Sequence, residues 1–123
     1  LDHCDAIRTV LERGEIGQTY NVGGNNEIKN IDVVESICDI LDHLTPKGNS
    51  KSYKELIHFV EDRPGHDYRY AIDASKLNSK LGWSPKESFE SGLEKTIQWY
   101  INNKDWWNAI LDDTYRQERI GVI

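Results

Sequence analysis

Arg63 and His66 stand three residues apart in Glu61-Asp62-Arg63-Pro64-Gly65-His66-Asp67-Tyr68-Arg69-Tyr70, a run that gathers two arginines, one histidine, two tyrosines and three acids around a Pro-Gly turn. A linker has no need of so many groups able to grip a polar ligand. An arginine presents its N–H donors in a rigid planar fork that matches a phosphate. Pro64 biases Arg63 toward an extended backbone, and Gly65 permits a positive φ. Such a turn can aim Arg63 and His66 to one side, as a clamp for a phosphate or pyrophosphate. A surface loop with solvated charges has the same composition, and composition leaves both readings open.

Other candidate chemistry is sparser. Gly23-Gly24-Asn25-Asn26-Glu27 follows a β-prone stretch and precedes a helical pattern, the place where α/β proteins put ligand contacts. It lacks the three-glycine spacing of a dinucleotide fingerprint. The Asn26 amide both donates and accepts and can serve a base or a sugar. Alternatively, Asn25 and Asn26 merely tolerate a left-handed turn. His66 can act as a neutral hydrogen-bond partner or a proton-transfer group. His3, His43 and His58 have no matched partners, so no metal site is expected. Tyr53 and Lys54 are adjacent and cannot form a Tyr-x-x-x-Lys dyad. No Ser-His-acid arrangement is evident. The residues point to binding rather than catalysis.

These groups must be positioned by a small scaffold. The 123 residues bound the chain to one domain or part of one. The formal net charge of −6, with charges interspersed, disfavours nucleic acid. No basic amphipathic helix or long apolar run suggests a membrane. Cys4 and Cys38 lack metal-ligand spacing and read as reduced thiols of a cytoplasmic protein, Cys38 as a core residue. The chain opens without methionine in a helical pattern, which predicts a piece of a longer protein.

Along the chain the spacing predicts a helix over Asp5–Arg13 stopped by Gly14 and a strand over Gln18–Val22. A second helix is expected over Ile31–Leu44, capped by Asn30 and ended by Pro46 and Gly48. Tyr53–Leu56 reads as a short turn, and Ile57–Val60 and Tyr70–Ile72 as short strands. A helix over Ala74–Leu81 is capped by Asp73 and ended by Gly82. The last long helix, Phe89–Asn102, is capped by Ser88. Trp99, Trp106 and Trp107 read as packing residues, and the tail with Ile110, Leu111 and Tyr115 is aromatic enough to dock. The fold class is α/β, with too few strands for a complete doubly wound sheet.

Three segments together resemble the C-terminal part of the dTDP-glucose 4,6-dehydratases, extended short-chain dehydrogenase/reductases of bacterial nucleotide-sugar synthesis. They are Thr19 to Glu27 with Asn30-Ile31-Asp32-Val33-Val34; Asp62-Arg63-Pro64-Gly65-His66-Asp67 through Arg69 to Asp73; and Leu81-Gly82-Trp83 with Phe89-Glu90-Ser91-Gly92 and Trp99-Tyr100. The Asp-Arg-Pro-Gly-His-Asp run is the specific one; the rest is shared with related nucleotide-sugar epimerases and dehydratases. The resemblance implies a partial fold: the helical C-terminal substrate-binding region with a few short strands, the Rossmann domain largely missing. Residues 1–123 are then that region, with 1–24 the last helix and strand associated with the Rossmann domain.

The implied reaction moves hydride from glucose C4 to NAD, eliminates water across C5–C6, and returns hydride to C6. The implied substrate contacts are Asn26, Asp62, Arg63, Pro64, Gly65 and His66, with Arg63 on the pyrophosphate and Asn26 and His66 near the nucleoside or phosphate. The partner is dTDP-glucose through its dTDP moiety. The longer enzyme would hold NAD and form a homodimer; on this chain no NAD is expected and no oligomeric state is assigned. The cofactor loop, the catalytic Tyr-x-x-x-Lys and the dehydrating acid pair belong to the family's N-terminal part, so no catalytic residue is assigned here. Two other readings stay open: another NDP-sugar epimerase or dehydratase, and a free-standing non-catalytic nucleotide-sugar-binding module.

Overall fold

The computed structural model describes residues 1–48, 51–67 and 69–111. Its elements in chain order are α1 (Asp2–Arg13), α2 (Asn30–Leu44), a 3-10 helix (Tyr53–Leu56), α3 (Ser75–Leu81), α4 (Phe89–Asn102) and α5 (Lys104–Leu111). No helix among the described residues is long and apolar enough to cross a membrane.

Two packed groups organise these helices. In the first, α1 meets α3. Ala6, Leu77, Leu81 and Trp83 form its buried cluster, and Val10, Tyr20 and Val22 pack against it. Leu77 is fully buried, because α3 is short and must bury its whole apolar edge against α1. In the second, α2 packs on α4 and on the 3-10 helix, with Cys38 and Ile97 buried. Cys38 thus occupies the core position its helical register predicts. Cys4 is a free, exposed thiol.

The expected helices form, with informative differences at their ends. α4 matches its predicted range, and Ser88 caps it: the Ser88 hydroxyl accepts the Ser91 N–H at 3.1 Å while Ser91 Oγ accepts the Ser88 N–H at 3.1 Å. Gly82 ends α3 in the left-handed region at φ 67°, where only glycine is unstrained. α3 starts at Ser75 rather than Ala74, although Asp73 Oδ1 does accept the Ser75 N–H at 2.8 Å. α1 starts at Asp2 rather than Asp5. Asp2 Oδ2 accepts the backbone N–H groups of Lys86 and Glu87 at 2.8 and 2.9 Å, a contact across 85 residues that no local pattern foretells. α2 begins one residue early, and Asn30 is its first helical residue instead of its cap; Lys29 precedes it in extended backbone with no side-chain cap bond. An antiparallel bridge between Lys29 and Arg69 holds that backbone extended.

The three expected strands are corrected. Gln18–Val22, Ile57–Val60 and Tyr70–Ile72 run without ladder pairing, and the Lys29–Arg69 bridge stands alone among the described residues. Side-chain alternation specifies extended backbone; a strand also needs a neighbour to satisfy its N–H and C=O groups. Tyr20 and Val22 do turn toward the α1–α3 cluster while Thr19 and Asn21 stay exposed. Among the described residues the chain is therefore helical with extended connectors and no strand ladder.

α5 folds back on α4. The Trp107 indole N–H donates to the Tyr100 carbonyl at 2.9 Å, and the Trp99 ring meets those of Tyr100 and Trp106 edge-on at 5.2 and 5.1 Å. The tryptophans pack, as expected, although Trp99 and Trp106 keep about half their surface exposed. Tyr115 lies outside the described residues. α1 turns Ile7 and Leu11 outward, with Leu11 at 85% exposure.

Candidate functional site

A groove of ≈ 920 Å³ runs between α2, the 3-10 helix and residues 57–67. Its floor is the apolar face of α2, with Ile31, Val34, Cys38 and Leu41, closed at one side by Tyr53 and Leu56. Its lip is charged and polar, with Lys29, Asn30, Asp62, Arg63, His66 and Asp67. An apolar floor with few convergent polar groups is the usual architecture of a small-molecule site.

The 3-10 helix sets where the lip begins. Asp42 on α2 holds it with both carboxylate oxygens: Oδ2 accepts the Ser52 hydroxyl at 2.5 Å and Oδ1 the Tyr53 N–H at 2.8 Å. Lys54 pairs with Asp39 at 2.7 Å, and the Tyr53 hydroxyl donates to the Thr45 carbonyl at 3.2 Å. These contacts tie the 3-10 helix to α2 and so set where residues 57–67 start.

They also carry a pH dependence. The Ser52 hydroxyl, and after it the Tyr53 N–H, hold the Asp42 carboxyl below its ordinary value of 3.8. A carboxyl lowered by folding stabilises the fold above that ordinary value, and the contribution is lost as pH falls through the lowered one. Protection of the Tyr53 amide from hydrogen exchange, relative to intrinsic rates, should therefore hold from neutral pH down to about 4 and fall below it. Loss of protection already between pH 7 and 5 would contradict the Asp42 anchor.

The lip turn is built on Asp62. Its Oδ1 accepts the Arg63 backbone N–H at 2.8 Å and lies 2.7 Å from His66 Nδ1. The His66 N–H donates to the Arg63 carbonyl at 3.3 Å, and Gly65 takes φ 71°. Gly65 is needed for that left-handed step; Pro64 precedes it, and neither lines the groove. The second arginine of the run is committed elsewhere: Arg69 pairs with Glu27 at 2.9 Å. The Arg63 guanidinium has no ion-pair or hydrogen-bond partner among the described residues.

Asp62, Arg63 and His66 are thus brought together at one lip. Asn26 does not line the groove. It sits on the loop that Glu27 ties to Arg69, and its amide Nδ2 lies 3.0 Å from where a Cβ on Gly24 would stand. Asn25, not Asn26, takes the left-handed conformation, at φ 56°. Asn30 does line the groove, at the N-terminal end of α2. Sequence reasoning spends Asn30 on capping; the missed signal is a polar residue opening a long helix, where free N–H groups favour anions.

Gly23 of the 23–24 loop is taken by packing. A Cβ on Gly23 would stand 3.1 Å from the Ile72 side chain, so the smallness of this residue serves the chain crossing. A Tyr-x-x-x-Lys spacing, passed over in the sequence reading, occurs at Tyr100 and Lys104. Tyr100 lies in α4, Lys104 opens α5 after the break at Asn103, and neither lines the groove. No group of three or more potential metal ligands occurs among the described residues.

A family model described as GDP-mannose 4,6 dehydratase matches residues 1–96. A dTDP-glucose 4,6-dehydratase of Xanthomonas campestris pv. campestris is 55% identical over 121 residues, 98% of this chain and 34% of that protein. A dTDP-glucose 4,6-dehydratase 1 of Escherichia coli K12 is 54% identical over 115 residues, 94% of this chain and 31% of that protein. The chain spans about one third of the length of the curated relatives it matches. Among solved structures, the Bacillus anthracis dTDP-glucose 4,6-dehydratase in complex with NAD superimposes with a TM-score of 0.73 at 46% identity, covering 88% of this chain and 31% of that one. The Streptomyces venezuelae enzyme, with NAD and TYD bound, gives 0.68 at 38% identity, covering 86% and 30%. The chain belongs to the GDP-mannose 4,6 dehydratase family, and the relatives that match nearly its whole length are dTDP-glucose 4,6-dehydratases.

Proposed function

We propose that this chain is the nucleotide-sugar-binding part of a dTDP-glucose 4,6-dehydratase. The observation that carries the reading is the Arg63 guanidinium, unpaired among the described residues, at the lip of an apolar-floored groove. A pyrophosphate needs planar, charge-assisted donors, and Arg63 supplies them. A nucleobase is a flat, largely apolar ring with polar edges, and the Ile31, Val34 and Leu41 floor suits its face. Asn30 and His66 are placed to serve its edge or the sugars. Asn26, which does not line the groove, is assigned a ligand contact on the strength of the resemblance alone. Asp62, Pro64 and Gly65 shape the turn and hold Arg63 in place.

NAD, held by the rest of such an enzyme, would supply reversible hydride acceptance for chemistry at the glucose C4 and C6. No cofactor contact and no catalytic residue is assigned to this chain; its proposed work is to bind and orient the substrate. Residues 1–24 are assigned to the junction with the Rossmann domain, whose sheet would give 18–22 the pairing it lacks and cover Ile7 and Leu11. The longer enzyme is proposed to be a cytoplasmic homodimer. The description of the matching family model favours a second reading, in which the groove takes another nucleoside diphosphate sugar.

Titration of the isotopically labelled chain with dTDP tests the location. The amide resonances of 29–31 and 57–67 should move first. Shifts confined to α1, α3 or α5 would contradict the site.

A further inference from the structure

A clamp of this kind needs each donor and acceptor set before the ligand arrives, and His66 is the one group whose role is ambiguous by nature. Neutral imidazole carries one N–H and one lone pair, and its surroundings decide which nitrogen carries which. Asp62 Oδ1 lies 2.7 Å from His66 Nδ1 and also accepts the Arg63 N–H. A carboxylate oxygen can only accept, so the proton in the Asp62–His66 contact sits on Nδ1. The His66 side chain is 29% exposed, and His66 lines the groove.

We propose that Asp62 is a positioning residue that fixes His66 as the Nδ1–H tautomer, leaving Nε2 as a hydrogen-bond acceptor for the groove's ligand. Two acceptors repel, so a bare Nε2 does not take a phosphate oxygen. Its ligand partner is a neutral donor: a hydroxyl of a ribose or hexose, or a ring N–H of the base. Arg63 and His66 therefore divide the ligand, the anion to the guanidinium and a neutral donor to the imidazole. The same oxygen that orients the ring also holds the Arg63 backbone, so the two recognition elements are set by one side chain. The identity of the ligand rests on the proposed function; the tautomer is a property of this chain alone.

The test is long-range ¹H–¹⁵N correlation of the histidine rings at pH 8, above the ordinary histidine value. His66 should show a protonated Nδ1 and a bare Nε2. Asp62→Ala should shift His66 toward the Nε2–H form that free histidine favours in water. Asp62→Asn, which keeps an acceptor oxygen, should retain the wild-type form. Dispersion of the buried Trp83 side-chain signals reports that each variant is folded. An Nε2–H wild type, a doubly protonated ring at pH 8, or an unchanged tautomer in Asp62→Ala overturns the proposal. Adding dTDP-glucose should shift the Nε2 resonance and leave Nδ1 protonated. An intact tautomer with an unmoved Nε2 overturns the nucleotide-sugar reading of the groove while upholding the role of Asp62.

Discussion

Arg63→Ala should weaken binding of dTDP by about 5- to 150-fold, the ~1–3 kcal/mol of a lost charge-assisted hydrogen-bond pair. The guanidinium has no carboxylate partner among the described residues, so the substitution removes nothing that holds the turn together. The turn itself rests on Asp62, on the His66 N–H to the Arg63 carbonyl, and on Gly65. None of these uses the Arg63 side chain. The loss should therefore appear in affinity with no change in thermal midpoint. Arg63→Lys keeps the charge but not the planar fork and should recover only part of the loss. Calorimetric titration of the three forms decides: equal affinities would remove Arg63 from phosphate recognition.

The second large effect lies in the core. Leu77→Ala should cost about 2–5 kcal/mol, because the lost methyl and methylene contacts come with a cavity that cannot fully collapse. Leu77 is fully buried among Ala6, Leu81 and Trp83. α3 spans only Ser75–Leu81, too short to be stable without its packing. A domain of ordinary stability holds only about 5–15 kcal/mol in total. The substitution therefore removes a large share of it. Urea unfolding followed by tryptophan fluorescence reads the change, since Trp83 sits in the same cluster. A loss under about 0.5 kcal/mol, the range of plain surface substitutions, would mean that α1 and α3 do not form the cooperative core.

What was legible in the sequence follows from what each signal measures. Local backbone chemistry was readable: Gly82 takes the left-handed cap, Ser88 closes its box with Ser91, and α4 spans its predicted range. The register of α2 put Cys38 inside. The Asp62–His66 run announced a turn with recognition groups, and the structure places three of them on one groove. Pairing was not readable. Gln18–Val22 has the alternation of a strand, but a strand is a relation between two segments, and alternation describes only one. Contacts across long sequence separations were equally hidden. Asp2 extends α1 by serving Lys86 and Glu87. Arg69, gathered with Arg63 in the same run, is held by Glu27. Asn30 was hidden for another reason: at a helix start asparagine has a structural use, and that use masked its place on the groove. The tautomer of His66 depends on a single 2.7 Å contact, which composition cannot specify.

The central claim is that this chain carries a nucleotide-sugar site whose anion grip is Arg63. Saturation-transfer NMR of the chain with dTDP, with UDP as competitor and Arg63→Ala as control, tests it most directly. The account predicts transfer to dTDP that UDP displaces poorly and that Arg63→Ala markedly reduces. Absence of transfer from a folded sample, or transfer unaffected by Arg63→Ala, would contradict it.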